Sequence, residues 1–221
     1  MFKTETHLHT SEGSGCARMS AEEMVKAYHN AGFKTVFISN HFGTQFFEPW
    51  GEMSWEQTVE RFMLGYRNAK ATGEKLGMNI LLSAEIEFDE PRQHYLVYGI
   101  NEEFLKKYPY LMRMSIADFS KIAREHGILF IQAHPFRDNN QVVTPELVDG
   151  FEVCNPNPRH LSNDEIAEQT AAEYGLYRTA GSDAHRPEDI AQTAMMSENE
   201  IRSVEDYIEL VKSGKAQFFK K

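Results

Sequence analysis

The chain has 221 residues, a net charge of −10, 41% hydrophobic and 25% charged residues, the balance of an ordinary globular protein with enough chain for one domain or one small barrel. An acidic excess without a basic run argues against binding long nucleic acid, which needs a positive surface to displace counterions. A small anionic substrate stays open, because bound divalent cations reverse the local field. No apolar run is long enough to span a bilayer, MFKTETHLHT lacks a secretion-signal pattern, and two cysteines, Cys16 and Cys154, make no disulfide framework. No membrane association and a cytoplasmic location are therefore expected.

A first strand starts at Phe2 and runs into Glu5-Thr6-His7-Leu8-His9-Thr10. Residues i and i+2 of a strand share a face, so His7 and His9 point together and Leu8 turns the other way. Two neutral imidazoles held that close begin a site for Zn²⁺, Mn²⁺ or Fe²⁺, although a lone H-x-H also occurs on half-exposed strands. Ser20 and Glu23 have capping-box spacing and predict a helix to about Ala31, ended by Gly32. Residues 35–39 read as a buried strand. Residues 40–53 form a long loop with Phe42, Phe46, Phe47 and Trp50, rings that suit either stacking on a flat substrate ring or covering the top of the fold. Ser54 and Gln57 open a helix to about Leu76, before Gly77. Residues 79–88 are a third strand and 95–99 a short one.

Ser115 and Asp118 cap a helix that ends near His126-Gly127. Residues 128–133, 150–154 and 177–180 read as strands, with a helix over about 163–174 between the last two. Ser203 starts a final helix, closed by Gly214. Alternating strands and helices predict a parallel α/β sheet or barrel, in one unit over 1–221.

The polar residues gather at strand ends on this map. His41 follows the second strand, Glu85 lies in the third, and His94 precedes the short strand. His134 follows 128–133, Asn155 follows 150–154, and Asp183 and His185 follow 177–180. In α/β barrels such ends converge on one mouth. Of the nine histidines, His29 and His126 fall on helices and read as surface or satisfied residues, and His160 lies in a loop.

Four motifs stand in order: His7-Leu8-His9-Thr10; Ser39-Asn40-His41; Glu85 with the later His94; and Ala133-His134-Pro135 with Gly181-Ser182-Asp183-Ala184-His185. In these the chain resembles the PHP family, named for polymerase and histidinol phosphatase domains, from residue 3 to about 190. The resemblance implies a distorted (β/α)7 TIM-like barrel and two or three divalent metal ions, Zn, Mn or Fe. One ion would take His7, His9, Glu85 and Asp183. A second would share Glu85 and add His94 and His134, and a third would take His41 and His185. The third site normally adds a histidine or aspartate soon after the first motif. Here that stretch is Ser11 to Cys16, so Glu12 is the substitute and Cys16 the alternative. Asn40 stands where an aspartate is usual, and Glu87, on the strand face of Glu85, reads as a rim carboxylate.

The implied activity is metal-dependent hydrolysis of a small phosphate monoester or nucleotide by metal-activated hydroxide. By the same resemblance Glu85 would be shared between ions, and Arg137 and Arg186 are candidates for the phosphate. Arg18 and Arg159 are weaker candidates, and His160 is either a leaving-group acid or a solvated loop residue. An amide hydrolase of similar architecture and a non-catalytic metal-binding module are the alternatives.

Overall fold

The computed structural model describes residues 1–139 and 145–221. In chain order the elements are β1 (Phe2–Glu5), α1 (Ala21–Asn30), β2 (Thr35–Ile38), β3 (His41–Phe42), α2 (Thr44–Phe47), α3 (Trp55–Leu76), β4 (Asn79–Glu87), β5 (His94–Tyr98), α4 (Glu102–Lys107), α5 (Ile116–Glu125), β6 (Leu129–Gln132), β7 (Gly150–Cys154), α6 (Asp164–Glu173), β8 (Tyr177–Ala180), β9 (Thr193–Ser197), α7 (Val204–Ser213) and β10 (Gln217–Lys220). Helices start where the sequence signals them. The Ser20, Ser54 and Ser203 side chains each accept from the backbone N–H three residues on, and the residue there answers in a capping box. Such a cap contributes about 1 kcal/mol.

The sheet runs β10-β9-β1-β2-β4-β5-β6-β7-β8, with β3 also paired to β4. The wall from β1 to β8 nearly closes on itself. Beyond the strand ends, Leu8 bridges Ala184, His9 N donates to Ala184 O (2.9 Å) and Thr6 Oγ1 donates to Ala180 O (2.7 Å). The expected barrel is therefore present, but it is not all parallel. β5 runs antiparallel to both β4 and β6, and β9 is antiparallel to β1 and β10. The link from Phe88 to Gln93 is too short for a parallel crossover, which needs a dozen or more residues. This reversal matters for the site. It puts the N-terminal end of β5, and with it His94, on the rim where its neighbours end. The structure adds β3, β9, β10, α2 and α4 to the elements expected from the sequence.

The sheet is apolar on both faces. Tyr95 and Val97 of β5 pack with Phe62 of α3 and Phe119 of α5, whereas Leu96 and Tyr98 face Phe37, Ile131 and Met195. Tyr207 and Val211 of α7 join the second group. The chain just before α7 lies at the starts of β2 and β4, where Thr35 Oγ1 donates to Ile201 O (2.5 Å) and Asn79 Nδ2 to the same oxygen (3.1 Å). The barrel is thus plugged at that end and keeps its polar residues for the other. Among the described residues no helix is long and apolar enough to cross a membrane.

Candidate metal centre

His7 and His9 share a face as expected, with their Nε2 atoms 3.1 Å apart and Leu8 in the core. Around them stand Glu85 from β4, Asp183 from the turn after β8, His134 after β6, His41 from β3, His94 from β5 and His185. His7 Nε2 lies 3.4 Å from Glu85 Oε1 and 3.3 Å from Asp183 Oδ1. His9 Nε2 lies 3.4 Å from Glu85 Oε2 and 3.1 Å from Asp183 Oδ1. Glu85 is also reached by His41 Nδ1 (2.7 Å), His94 Nδ1 (3.1 Å) and His134 Nε2 (2.9 Å). His185 Nε2 lies 3.4 Å from His41 Nε2. Among the described residues three overlapping donor groups result: His7, His9, Glu85 and Asp183; His41, Glu85 and His94; and His9, His41 and His185.

The donor atoms fit metal ions on two counts. Bonds of about 2.0–2.2 Å in a tetrahedral shell put neighbouring donors roughly 3.3 Å apart, the spacing seen here. The proton count points the same way. His7 Nδ1 donates to Glu152 Oε1 (2.9 Å). Ser14 Oγ donates to Asn40 Oδ1 (3.2 Å) and accepts from His41 N (2.9 Å), so His9 Nδ1 donates to it (3.2 Å). His185 Nδ1 donates to Asp183 O (2.9 Å). In the neutral rings the inward Nε2 atoms then carry lone pairs, aimed at carboxylate oxygens and at one another. Glu85 Oε2, Asp183 Oδ1, His41 Nδ1, His94 Nδ1 and His134 Nδ1 are buried without a hydrogen-bond partner. Such a knot of acceptors is costly unless a cation or protons occupy it.

Electrostatics divide the cluster. Burial opposes the charge on His7, but the carboxylates of Glu152, Asp183 and Glu85 hold it well above its ordinary value. Burial is likewise outweighed at His94, which Glu85 and Glu87 raise to about 10. Burial and the neighbouring His185 and His41 hold His9 well below its usual range, and burial with Arg137 lowers His134. Despite burial, the surrounding imidazoles keep Glu85 well below the usual carboxylate range, and His7 and Arg137 do the same for Asp183.

Glu152, which no sequence motif marks, holds this arrangement together with several motif residues. Glu152 of β7, fully buried, accepts from His7 Nδ1, His134 N (3.0 Å) and Asn155 Nδ2 (2.7 Å). A Cβ on Gly181 would lie 2.4 Å from His7 Cβ and 2.8 Å from Glu152 Oε1, so only glycine fits beside that pair. His134 (φ 30°) and Asp183 (φ 49°) sit in the left-handed region, strain of the kind that surrounding contacts must hold in place. Asn40 accepts from Thr10 N (2.7 Å) and Ser14 Oγ, and so fixes the turn that anchors His9.

Glu12 lies outside the three groups. Its carboxylate accepts from Ala21 N (3.0 and 3.1 Å) at the start of α1 and from Asn68 Nδ2 (3.3 Å). The first turn of a helix leaves N–H groups without partners, and these capture an acid placed just ahead of it. Cys16 instead lines the cavity over the cluster, its thiol pushed up to about 11 by burial. That cavity, about 530 Å³, is also lined by Arg92, Arg137, Arg159, Arg186 and His160. Arg137 Nη2 donates to Asp183 Oδ2 (2.6 Å) and Asn155 Oδ1 (2.8 Å), and Arg159 pairs with the buried Asp189. Arg92 belongs to the exposed link before β5, and no reading of the sequence marked it.

Comparison with known proteins agrees with this architecture. Residues 162–216 match the family model described as PHP-associated. No curated protein matches the chain. A two-domain protein from Bacteroides vulgatus, containing a predicted PHP-like metal-dependent phosphoesterase, superposes with a TM-score of 0.70 at 17% identity, covering 99% of this chain and 64% of its own. This chain thus spans less than two thirds of that protein. PsfC from Pseudomonas syringae gives a TM-score of 0.67 at 16% identity, over 100% of this chain and 91% of that one. An amidohydrolase from Chromobacterium violaceum, with bound sulfate and no metal, gives 0.59 at 14% identity, over 98% and 97%. Residues 162–216 thus resemble a PHP-associated segment, and the chain as a whole shares the fold of a PHP-like protein around an ordered set of histidines and acids.

Proposed function

We propose that this chain is a metal-dependent phosphoesterase acting on a small phosphate monoester or nucleotide, with residues 1–221 working as one barrel. The observation that carries the reading is the cavity of about 530 Å³ in which Arg92, Arg137, Arg159 and Arg186 stand around the histidine and carboxylate cluster. Arginine matches phosphate oxygens with a planar fork. Two or three divalent ions would be held by His7, His9, Glu85 and Asp183, by Glu85, His94 and His134, and by His41 and His185. Bound there, such ions acidify water and polarise phosphoryl oxygens.

The chain's own groups do the rest. Glu152 and Ser14 hold His7 and His9 with their Nε2 lone pairs inward. Arg137, braced by Asp183 and Asn155, keeps Nε without a partner, and so offers a donor to a substrate oxygen beside the cluster. Among the described residues the Arg186 guanidinium also keeps Nε without a partner and pairs with Glu188 at 3.9 Å. His160, bound to Asp138 (2.6 Å), stands on the same cavity wall and is within the set that can protonate a leaving alkoxide. An apolar mouth would have favoured amide hydrolysis; four arginines favour phosphate.

The test is a screen of phosphomonoesters and nucleotides with protein loaded with Mn²⁺, Zn²⁺ or Fe²⁺. Phosphate release is the expected result, and its absence on every compound with every metal overturns the proposal. Arg92→Ala and Arg186→Ala should raise KM about tenfold with little change in kcat, the signature of binding lost equally from ground and transition states.

A further inference from the structure

Three of the cluster's six histidines share a pattern that His94 inverts. His7, His9 and His185 each anchor Nδ1 outside the cluster and turn Nε2 inward. His94 does the reverse: Nε2 donates to Glu87 Oε2 (3.0 Å), while Nδ1 faces Glu85 Oε1 (3.1 Å) without a hydrogen-bond partner. The cause is register. Glu87 and His94 are direct cross-strand partners on β4 and β5, whereas Glu85 faces Leu96, so the imidazole lies diagonally between two carboxylates. His94 also has the most exposed side chain of the cluster, at 24%, against 0% for His7 and His9. Packing alone does not fix such a ring. Glu87, nearly buried at 6% exposure, is itself held by Gln45 Nε2 (2.6 Å). Gln45 lies on α2, where its neighbour Phe46 stacks on His41 with ring centroids 4.1 Å apart and planes 6° apart. α2 rides close to the strand here, since a Cβ on Gly43 would stand 3.1 Å from Glu87 O.

We propose that Glu87, braced by Gln45, is a positioning residue: it fixes the His94 tautomer with the proton on Nε2 and the Nδ1 lone pair offered to the metal shared with Glu85. The inference rests on the metal-centre reading above and adds to it a carboxylate and a loop residue that touch no metal. Because α2 carries Gln45 and Phe46, one short helix braces His94 through Glu87 and covers His41 directly. The aromatic loop thereby supports the ligand shell, although its phenylalanine and tryptophan rings do not line the cavity.

The experiment uses the full chain loaded with Zn²⁺. Long-range ¹⁵N–¹H correlation of the histidine rings should show His94 protonated on Nε2 and coordinating through Nδ1, and His7, His9 and His185 the opposite. Chelator competition should show metal affinity falling 10–100-fold in Glu87→Ala, the usual cost of losing a carboxylate that orients a ligating histidine. Gln45→Ala, which leaves the barrel wall intact, should fall in the same direction by less. Glu87→Gln keeps an acceptor and guards against a misfolded alanine variant; it should retain the Nε2 proton on His94 and lose less affinity than Glu87→Ala. His94 protonated on Nδ1 in the parent, or competition curves for Glu87→Gln and Gln45→Ala coinciding with the parent, would overturn the proposal while leaving the metal centre standing. A parent chain that takes up no metal would overturn both.

Discussion

The barrel has a cavity at each end, and the larger one is not the candidate site. At the end plugged by α7, a cavity of about 630 Å³ is lined by Ser197, Glu200, Asp206 and Leu210 among others. Two of its acids are spent and the other two, Glu198 and Glu209, are exposed: Glu200 accepts from Asn79 Nδ2 (3.0 Å) and Arg202 (2.9 Å), and Asp206 accepts from the N–H groups of Arg202 and Ser203 (2.9 and 3.0 Å). At the mouth, with about 530 Å³, Glu85 and Asp183 each keep a buried oxygen without a donor, and three imidazoles keep a buried nitrogen without a partner. Volume therefore does not separate the two ends; unspent polar atoms do. A region whose hydrogen bonds close without help serves stability, and one whose acceptors crowd together is built for something that arrives later.

The strongest way to break this contrast is Glu85→Ala. Glu85 lies within reach of five histidines, so phosphate release should fall about 10³-fold or more, and metal per chain, by elemental analysis, should fall with it. An unchanged metal content would undo the reading of the mouth. Phe130→Ala attacks the wall instead. Phe130 is buried against Tyr95 and Phe119, with centroids 4.9 and 5.0 Å away. Its loss should cost about 3–5 kcal/mol of stability in a urea titration, while metal bound per folded chain stays at the parent value.

Much of this division was legible in the residues themselves. H-x-H, Ser39-Asn40-His41, Ala-His-Pro and Gly-Ser-Asp-x-His mark strand ends, and serine caps mark helix starts, because those signals are local. What escaped reading depends on register and backbone strain. Glu152 sits in Gly-Phe-Glu-Val-Cys, where its spacing is that of any strand residue; only the pairing of β7 with β6 and β8 brings it to His7. The reversed β5 that delivers His94 is set by the brevity of the link before it, and the positive φ at His134 and Asp183 leaves no local trace. Glu12 stands near the first motif, the place of a ligand, yet the helix start at Ala21 lies nearer and takes its carboxylate.

Glu152→Gln sharpens the comparison within the mouth. Its Oε2 accepts two N–H donors, so a glutamine there would turn its oxygen toward them and its amide NH₂ toward His7 Nδ1. His7 would then take the other tautomer and carry its proton on Nε2, facing the cluster. Metal affinity in a chelator competition should fall about 10–100-fold, with stability less affected than by Phe130→Ala. Equal affinity in parent and variant would mean that the His7 ring is fixed by packing alone.

The smallest effect belongs to the other end. Glu200 has its pKa lowered by the Arg202 guanidinium and, despite desolvation, by the Asn79 amide. A carboxyl whose folded value is depressed adds stability above its unfolded value and loses that contribution as pH falls through the folded one. Glu200→Gln should therefore lower the melting temperature slightly at pH 7, and the gap to the parent should close as the pH is taken below the ordinary carboxylate range. Phosphate release should stay within about twofold of the parent, as for a surface change away from the site. A large loss of activity in this variant would couple the two ends of the barrel and remove the distinction between the spent acids and the unspent ones.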